Sequence, residues 1–351
     1  MSSTRLAYRL GRCAHATACG GTPSAAGGGL PNATGWAILT TSRRGMSQLA
    51  YQEVASGGEF AMAGQPRTAL LLHGLLGSKR NWRTFAKGLA AELAEETQQP
   101  WNFYLLDLRN HGASHRKPGF AGPHTLETAA QDLVRFAEEV VRPETGQDPD
   151  VVIGHSLGGK IVLEYVHQAA EHRRVEPPKQ AWVLDSVPGK VNTDNSGVPE
   201  IIDSVKSIPT PIPSKKWLDS YLKDQGYPAE LRHWLAQSLV PHSEVHGALD
   251  WQFCIHGAAS MYTSYRASEF WQLLHKPPPE TEIHIVRALK SDRWSRSTLT
   301  AMGEAATSSH ADPHVGKFHY LELEDAGHWL HADNPKGLHD MMVARMSVLG
   351  N

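Results

Sequence analysis

The sequence predicts an α/β domain: a mostly parallel sheet with helices on both faces, interrupted once by a helical insertion. Three observations carry this. From Ser47 onward, short apolar runs of strand length alternate with segments of helical spacing. The runs are apolar at successive positions, as strands buried on both faces must be. The alternation stops near Pro188 and resumes after Pro279. With 351 residues, 40% of them hydrophobic, the chain suits one large domain carrying an insertion.

The elements follow in order. LAYQEVAS (49–56) alternates weakly and reads as an edge strand, and RTALLLHG (67–74) is a continuous apolar run that ends in glycine. NWRTFAKGLAAELAEE (81–96) has helical spacing, WNFYLLDL (101–108) is a strand, and TLETAAQDLVRFAEEVV (125–141) is a helix with Thr125 and Thr128 near its start. DVVIGHS (150–156) is a strand, GGKIVLEYVHQAAEH (158–172) a helix and QAWVLDS (180–186) a strand. From 188 to 279 the chain is rich in Pro and Trp, shows no clear strand and reads as a helical cap inserted into the sheet domain. TEIHIVRAL (281–289) and KFHYLELED (317–325) resume the strands, with helices near 296–307 and 335–349. Strands separated by helices in this way imply parallel pairing.

A net charge of −2 gives the whole chain no pull toward nucleic acid or an anionic membrane. No run approaches the length of a membrane span. Residues 1–46 differ in kind. No acidic residue precedes Glu53, whereas Arg5, Arg9, Arg12, Arg43 and Arg44 lie among many Ser, Thr, Ala and Gly. That composition is expected of an organelle transit peptide, for a chloroplast or a mitochondrion, with an ordinary disordered tail on a cytoplasmic protein as the alternative. Of Cys13, Cys19 and Cys254, only the last lies outside this segment, so no internal disulfide is expected and a reducing compartment fits.

Gly154-His155-Ser156-Leu157-Gly158 is a G-x-S-x-G pentapeptide with a strand before it and a helix after it. In that setting the turn is tight, the glycines leave room where a Cβ would collide, and Ser156 is lifted clear of the sheet at a helix N-terminus. Ser156 is therefore the candidate nucleophile. It needs a base to take its proton. His328, just past the last strand in LELEDAGHWLHADNP, is the candidate, with His331 as competitor. The base in turn needs an acid to fix its tautomer. Asp185 ends the strand after the nucleophile's, while Asp292 follows the strand after the insertion. Ser291 rather than Asp292 occupies the usual acid slot on that later loop, so the reading leans to Asp185, keeps Asp292 as the alternative acid and makes Ser291 a candidate auxiliary to the His–Asp pair. Two preset donors for an oxyanion are expected in the backbone N–H groups of Leu157 and of Leu75 in HGLLGS. The DLRNHG turn (Asp107, Arg109, Asn110, His111) reads as a bracing loop, and Trp82, Trp251, Trp271 and Trp329 as core or cap packing. His155 reads as a core histidine holding the turn, and His111 and His115 lack metal-like companions. No cofactor or metal is expected.

Five stretches, LLLHGLLGSKRNW, LLDLRNHGASH, VIGHSLGGK, VLDSVPG and DAGHWLHADNP, resemble the α/β-hydrolase superfamily. Within it they are similar to the small esterases grouped with abhydrolase domain-containing protein eleven and their bacterial and plant relatives. The resemblance runs from about Leu70 to Leu349 and implies a serine hydrolase acting on esters or thioesters. It also implies an acid at Asp185 with Ser291 in the later slot, although Asp292 directly after that serine keeps the other acid open. The expected partner is a small-molecule ester or thioester, with a hydrophobic acyl group if the Trp-bearing insertion lines the site. The competing functions are acyl transfer to an alcohol or amine, and a non-catalytic ligand-binding or partner role on the same fold.

Overall fold

The computed structural model describes residues 49–56, 64–120, 122–192 and 197–350. The transit-peptide expectation for residues 1–46 lies outside them. The sheet has seven strands: β1 (Ala50–Ala55), β2 (Arg67–Leu72), β3 (Trp101–Asp107), β4 (Val151–His155), β5 (Gln180–Leu184), β8 (Glu282–Ala288) and β9 (Lys317–Leu323). Their spatial order is β1-β3-β2-β4-β5-β8-β9. Only β1 is antiparallel, paired at the edge with β3; the other pairings are parallel. Within the sheet, side chains alternate between two cores. Leu70, Leu72, Val152, Val183 and Ile285 join one, while Leu71, Val151, Ile153, Trp182 and Val286 join the other. Because both faces are covered, the central strands β2, β4 and β5 show no polar side, which is why they read as unbroken apolar runs.

The first core is built largely from α2 (Leu126–Phe136), α4 (Leu157–His172), α8 (Ile255–Ala267) and α10 (Arg296–Ala311). The second core takes α1 (Arg83–Thr97) and α12 (Pro335–Met346). The helix expected over 125–141 is not uniform. A π-turn at Ala137–Val141 and the short α3 (Arg142–Thr145) follow α2, and Gly146 closes the run at φ 77°. Thr125 caps α2 by accepting from the Thr128 N–H, and Thr128 Oγ1 returns the bond to the Thr125 N–H.

Between β5 and β8 lie α5 (Val198–Ser207), α6 (Lys215–Asp224), α7 (Ala229–Gln237), α8 and α9 (Trp271–His275). A two-stranded ribbon, β6 (Leu239–Pro241) with β7 (Leu249–Trp251), interrupts them. Three-residue strands are too short to show a period, so they leave no mark in the sequence. Ile212, Leu218, Leu222, Leu235 and Phe253 form a separate apolar cluster within this segment. Lys160 ties the segment to α4. Its side chain is fully buried, and Nζ donates to the carbonyls of Gly189, Tyr265 and Ser268 at 2.8, 2.6 and 2.9 Å. Three protons thus meet three acceptors, two of them at the carbonyl end of α8, where a cation is favoured. Burial draws the ammonium's pKa down to about 7, against the pull of Glu269. α11 (Leu330–Asp333) completes the helices between β9 and α12.

The loop after β3 is a brace. Asp107 is completely buried and accepts from the Lys79 N–H and the Ala113 N–H, each at 2.8 Å, and from the Lys79 ammonium. Arg109 grips Asp132 with two nitrogens, and His73 Nε2 accepts from the Leu108 N–H. Gly112 holds φ at +53°, and a Cβ there would sit 2.0 Å from Asp107 Cγ. Gly112→Ala is therefore expected to destabilise the protein by about 3 kcal/mol or more, since both the backbone and a buried carboxylate would have to give. Equilibrium urea denaturation measures this, and an unchanged midpoint would contradict the brace.

Candidate active site

The site forms where β4 turns into α4. Ser156 stands between them at φ 52°, ψ −116°, a left-handed geometry that side chains rarely adopt. Its N–H donates to the Leu184 carbonyl at 3.0 Å, which pins the turn to β5. Two close approaches make the turn possible. A Cβ on Gly154 would lie 2.2 Å from the Gly158 carbonyl oxygen, and one on Gly158 would lie 2.7 Å from the His73 carbonyl oxygen. Glycine at both points lets strand, helix and the loop after β2 meet around the serine.

Asp185, directly after β5, is fully buried, with φ 44°. Each of its oxygens has two donors. Oδ1 accepts from Trp294 Nε1 at 2.7 Å and the Ala288 N–H at 3.2 Å; Oδ2 accepts from His328 Nδ1 at 2.7 Å and Ser291 Oγ at 2.8 Å. Burial alone would raise the carboxyl's pKa. The bond from His328, the charge on that ring and the bonds from Trp294 and Ser291 outweigh burial and hold the pKa below its ordinary value, so the group is an anion. A carboxylate only accepts, so His328 Nδ1 carries the hydrogen and Nε2 is left as an acceptor. Burial lowers the His328 pKa; the bond to Asp185 opposes this, and the charge of Arg293 adds to it. The ring is neutral near pH 7.

His328 is also held through its backbone. His155 Nε2 donates to the His328 carbonyl at 2.7 Å, and the two rings pack 4.6 Å apart. His155 therefore joins the loop after β9 to the residue preceding Ser156, a larger role than bracing its own turn. Ser156 and His328 line one cavity of about 1010 Å³. No direct hydrogen bond joins Oγ to Nε2 in this geometry; such bonds are often long before substrate arrives. Leu75 and Leu157 line the same cavity, and among the described residues neither N–H has a hydrogen-bond acceptor. Leu76 at φ 56° and the Gly77 N–H to Gly74 carbonyl bond (3.1 Å) shape the loop that carries Leu75. Leu231, Ile201, Trp234, Tyr262 and Tyr265 give the cavity an apolar wall.

The structure thus brings Ser291, Asp185 and His328 into one hydrogen-bonded set and leaves Asp292 outside it. Asp292 is exposed, on the outer side of a loop whose neighbours Ser291 and Trp294 turn in toward Asp185. This departs from the alternative acid weighed above, and the reason is steric: the inward places are already taken. His331 stacks on Trp82 at 4.1 Å, and burial brings its pKa to about 4. Trp82 and Trp329 reach the cavity rather than serving only as packing. Trp294 was missed as an anchor of the acid, although a buried indole N–H must find an acceptor somewhere. Among the described residues no group of His, Cys, Asp and Glu is arranged to hold a metal ion, and no helix is long and apolar enough to cross a membrane.

Comparison with known proteins agrees with this architecture. Over 286 residues the chain is 26% identical to a mouse (Mus musculus) protein named sn-1-specific diacylglycerol lipase ABHD11, spanning 78% of this chain and 79% of that one. A shorter stretch of 98 residues is 39% identical to ethanol acetyltransferase 1 of Kluyveromyces marxianus, covering 28% of this chain and 23% of that protein. Among solved structures, a marine microorganism esterase shares the fold with a TM-score of 0.65 at 24% identity, over 85% of this chain and 99% of that one. The model of the alpha/beta hydrolase family matches residues 69–341. Since that span is most of the chain, and the sheet is mostly parallel with helices on both faces, the protein belongs to the alpha/beta hydrolase family.

Proposed function

We propose that the protein is a serine hydrolase of carboxylic esters or thioesters, working through an acyl-enzyme on Ser156. The observation that carries this reading is the His328–Asp185 bond of 2.7 Å beside a serine held at φ 52° on the same cavity. In this reading His328 Nε2 takes the proton from Ser156 Oγ as the oxygen attacks the acyl carbon. The N–H groups of Leu75 and Leu157 hold the oxyanion, helped by the N-terminus of α4. His328 then protonates the departing alcohol or thiol, and water repeats the sequence to free the acid. Asp185 stays ionised throughout and stabilises the imidazolium, while Ser291 and Trp294 keep the carboxylate in place. The apolar wall of the cavity suits an acyl chain, and the mouse relative's name also points to a lipid ester.

A second reading, acyl transfer to an alcohol, draws on the stretch shared with the ethanol acetyltransferase. It uses the same acyl-enzyme and differs only in the acceptor. Adding ethanol to the assay separates the two: transfer yields an ethyl ester at the expense of free acid.

Three measurements test the serine chemistry. A fluorophosphonate probe should label the wild-type protein and fail to label Ser156→Ala; an unlabelled wild type overturns the reading. Asp185→Asn should lower turnover of a short p-nitrophenyl ester by about 10⁴-fold, through the wrong His328 tautomer, whereas Asp292→Asn should cost far less. Equal losses would contradict the assignment of the acid. The pH dependence has a definite sign. The base works only when neutral, and burial places the His328 pKa below 6.5. The value of kcat/KM should therefore fall only as pH drops through that lowered value, with its acid limb below 6.5. An acid limb centred above 6.5 would contradict it.

A further inference from the structure

Arg293 lines the cavity that holds Ser156 and His328. It is half-buried, and its backbone is held between Ser291 and Trp294, whose side chains both bond to Asp185. Among the described residues its guanidinium makes no ion pair and no hydrogen bond. Arg67, Arg109, Arg142 and Arg287 each have a carboxylate partner. Asp292 beside it is exposed and does not pair with it. Glu230 and Asp333 also line the cavity, but both are exposed, and one oxygen of Asp333 is taken by the Gly327 N–H.

This unpaired cation has a cost. Its charge works against protonation of both His155 and His328. In the proposed mechanism His328 must become a cation as the serine attacks, so a lone positive charge nearby raises that barrier. The penalty disappears when a substrate brings a negative charge to Arg293. We infer that Arg293 is a specificity residue that holds a carboxylate on the ester substrate, leaving the apolar wall to the rest of the acyl or alcohol part. A single half-buried guanidinium matches a monoanion with its planar fork, and the acidic side chains of Glu230 and Asp333 on the same cavity disfavour a dianion such as phosphate. Arg80, exposed on the same cavity, adds to the attraction for an acid. This inference rests on the serine-hydrolase reading and narrows its substrate class.

The test compares mono-4-nitrophenyl adipate with its neutral methyl ester, and 4-acetoxybenzoate with methyl 4-acetoxybenzoate, after subtraction of uncatalysed rates. The two pairs place the carboxylate on the acyl side or the leaving-group side. In wild type, kcat/KM should favour the acid about tenfold or more in at least one pair, the worth of one charge-assisted contact. Arg293→Met and Arg293→Gln should bring that ratio to about one, Arg293→Lys should keep part of it, and the acid limb of the neutral ester's pH profile should move upward in the first two. A wild-type ratio near one in both pairs, or a ratio unchanged in Arg293→Met and Arg293→Gln, overturns the inference. Phosphonate labelling of Ser156 in the same preparations keeps this outcome distinct from a failure of the serine chemistry, which would show as an unlabelled wild type.

Discussion

The site depends on satisfying one buried charge. Asp185 has no exposed surface, and an ionised carboxylate in that position is tolerated only if its lone pairs are filled. Four donors fill them, two to each oxygen, and they come from the end of β8, the loop after it and the loop after β9. These strands are neighbours in the sheet, with β5 between β4 and β8. Parallel strands deliver their C-terminal loops to the same edge, so the carboxylate's need for donors is met by the loops that also carry His328 and Arg293. The same edge receives the tight turn at Ser156.

Around this charge, each neighbouring part restrains another. Ser291 and Trp294 fix the carboxylate, the carboxylate fixes one face of His328, and His155 fixes the His328 backbone from the serine's own strand. Lys160 in α4 grips the carbonyls at both ends of the inserted segment, which supplies Tyr262 and Tyr265 to the cavity wall. A group that loses a partner here strands others: without Lys160 the carbonyls of Gly189, Tyr265 and Ser268 each lose a donor, and without Trp294 the buried anion loses one of its four. Pre-setting the site in this way leaves little to reorganise during reaction.

Much of this was legible in the sequence, for local reasons. The central strands announce themselves because burial on both faces demands continuous apolar runs such as LLL at 70–72 and VVI at 151–153. Ser156 stands out because only glycine fits at 154 and 158, a constraint visible as spacing. His328 follows the last strand closely enough to be read from position. The strand order, with β1 joining β3 against the parallel trend, depends on pairing between distant segments and leaves no local mark. The choice between Asp185 and Asp292 is of the same kind, because both follow apolar strands and differ only in which side of a loop faces the sheet. Trp294 and His155 act through bonds 109 and 173 residues apart in sequence, and Arg293 matters through a partner it lacks, which no pattern of residues displays.

The most direct measurement is the imidazole N–H signal in the proton NMR spectrum. A strongly downfield resonance is expected from His328 Nδ1–H bonded to an ionised Asp185, present at pH 7 in wild type and in Asp292→Asn and lost in Asp185→Asn. A spectrum without that resonance in wild type, or one that keeps it in Asp185→Asn, would contradict the arrangement from which the rest of the chemistry is argued.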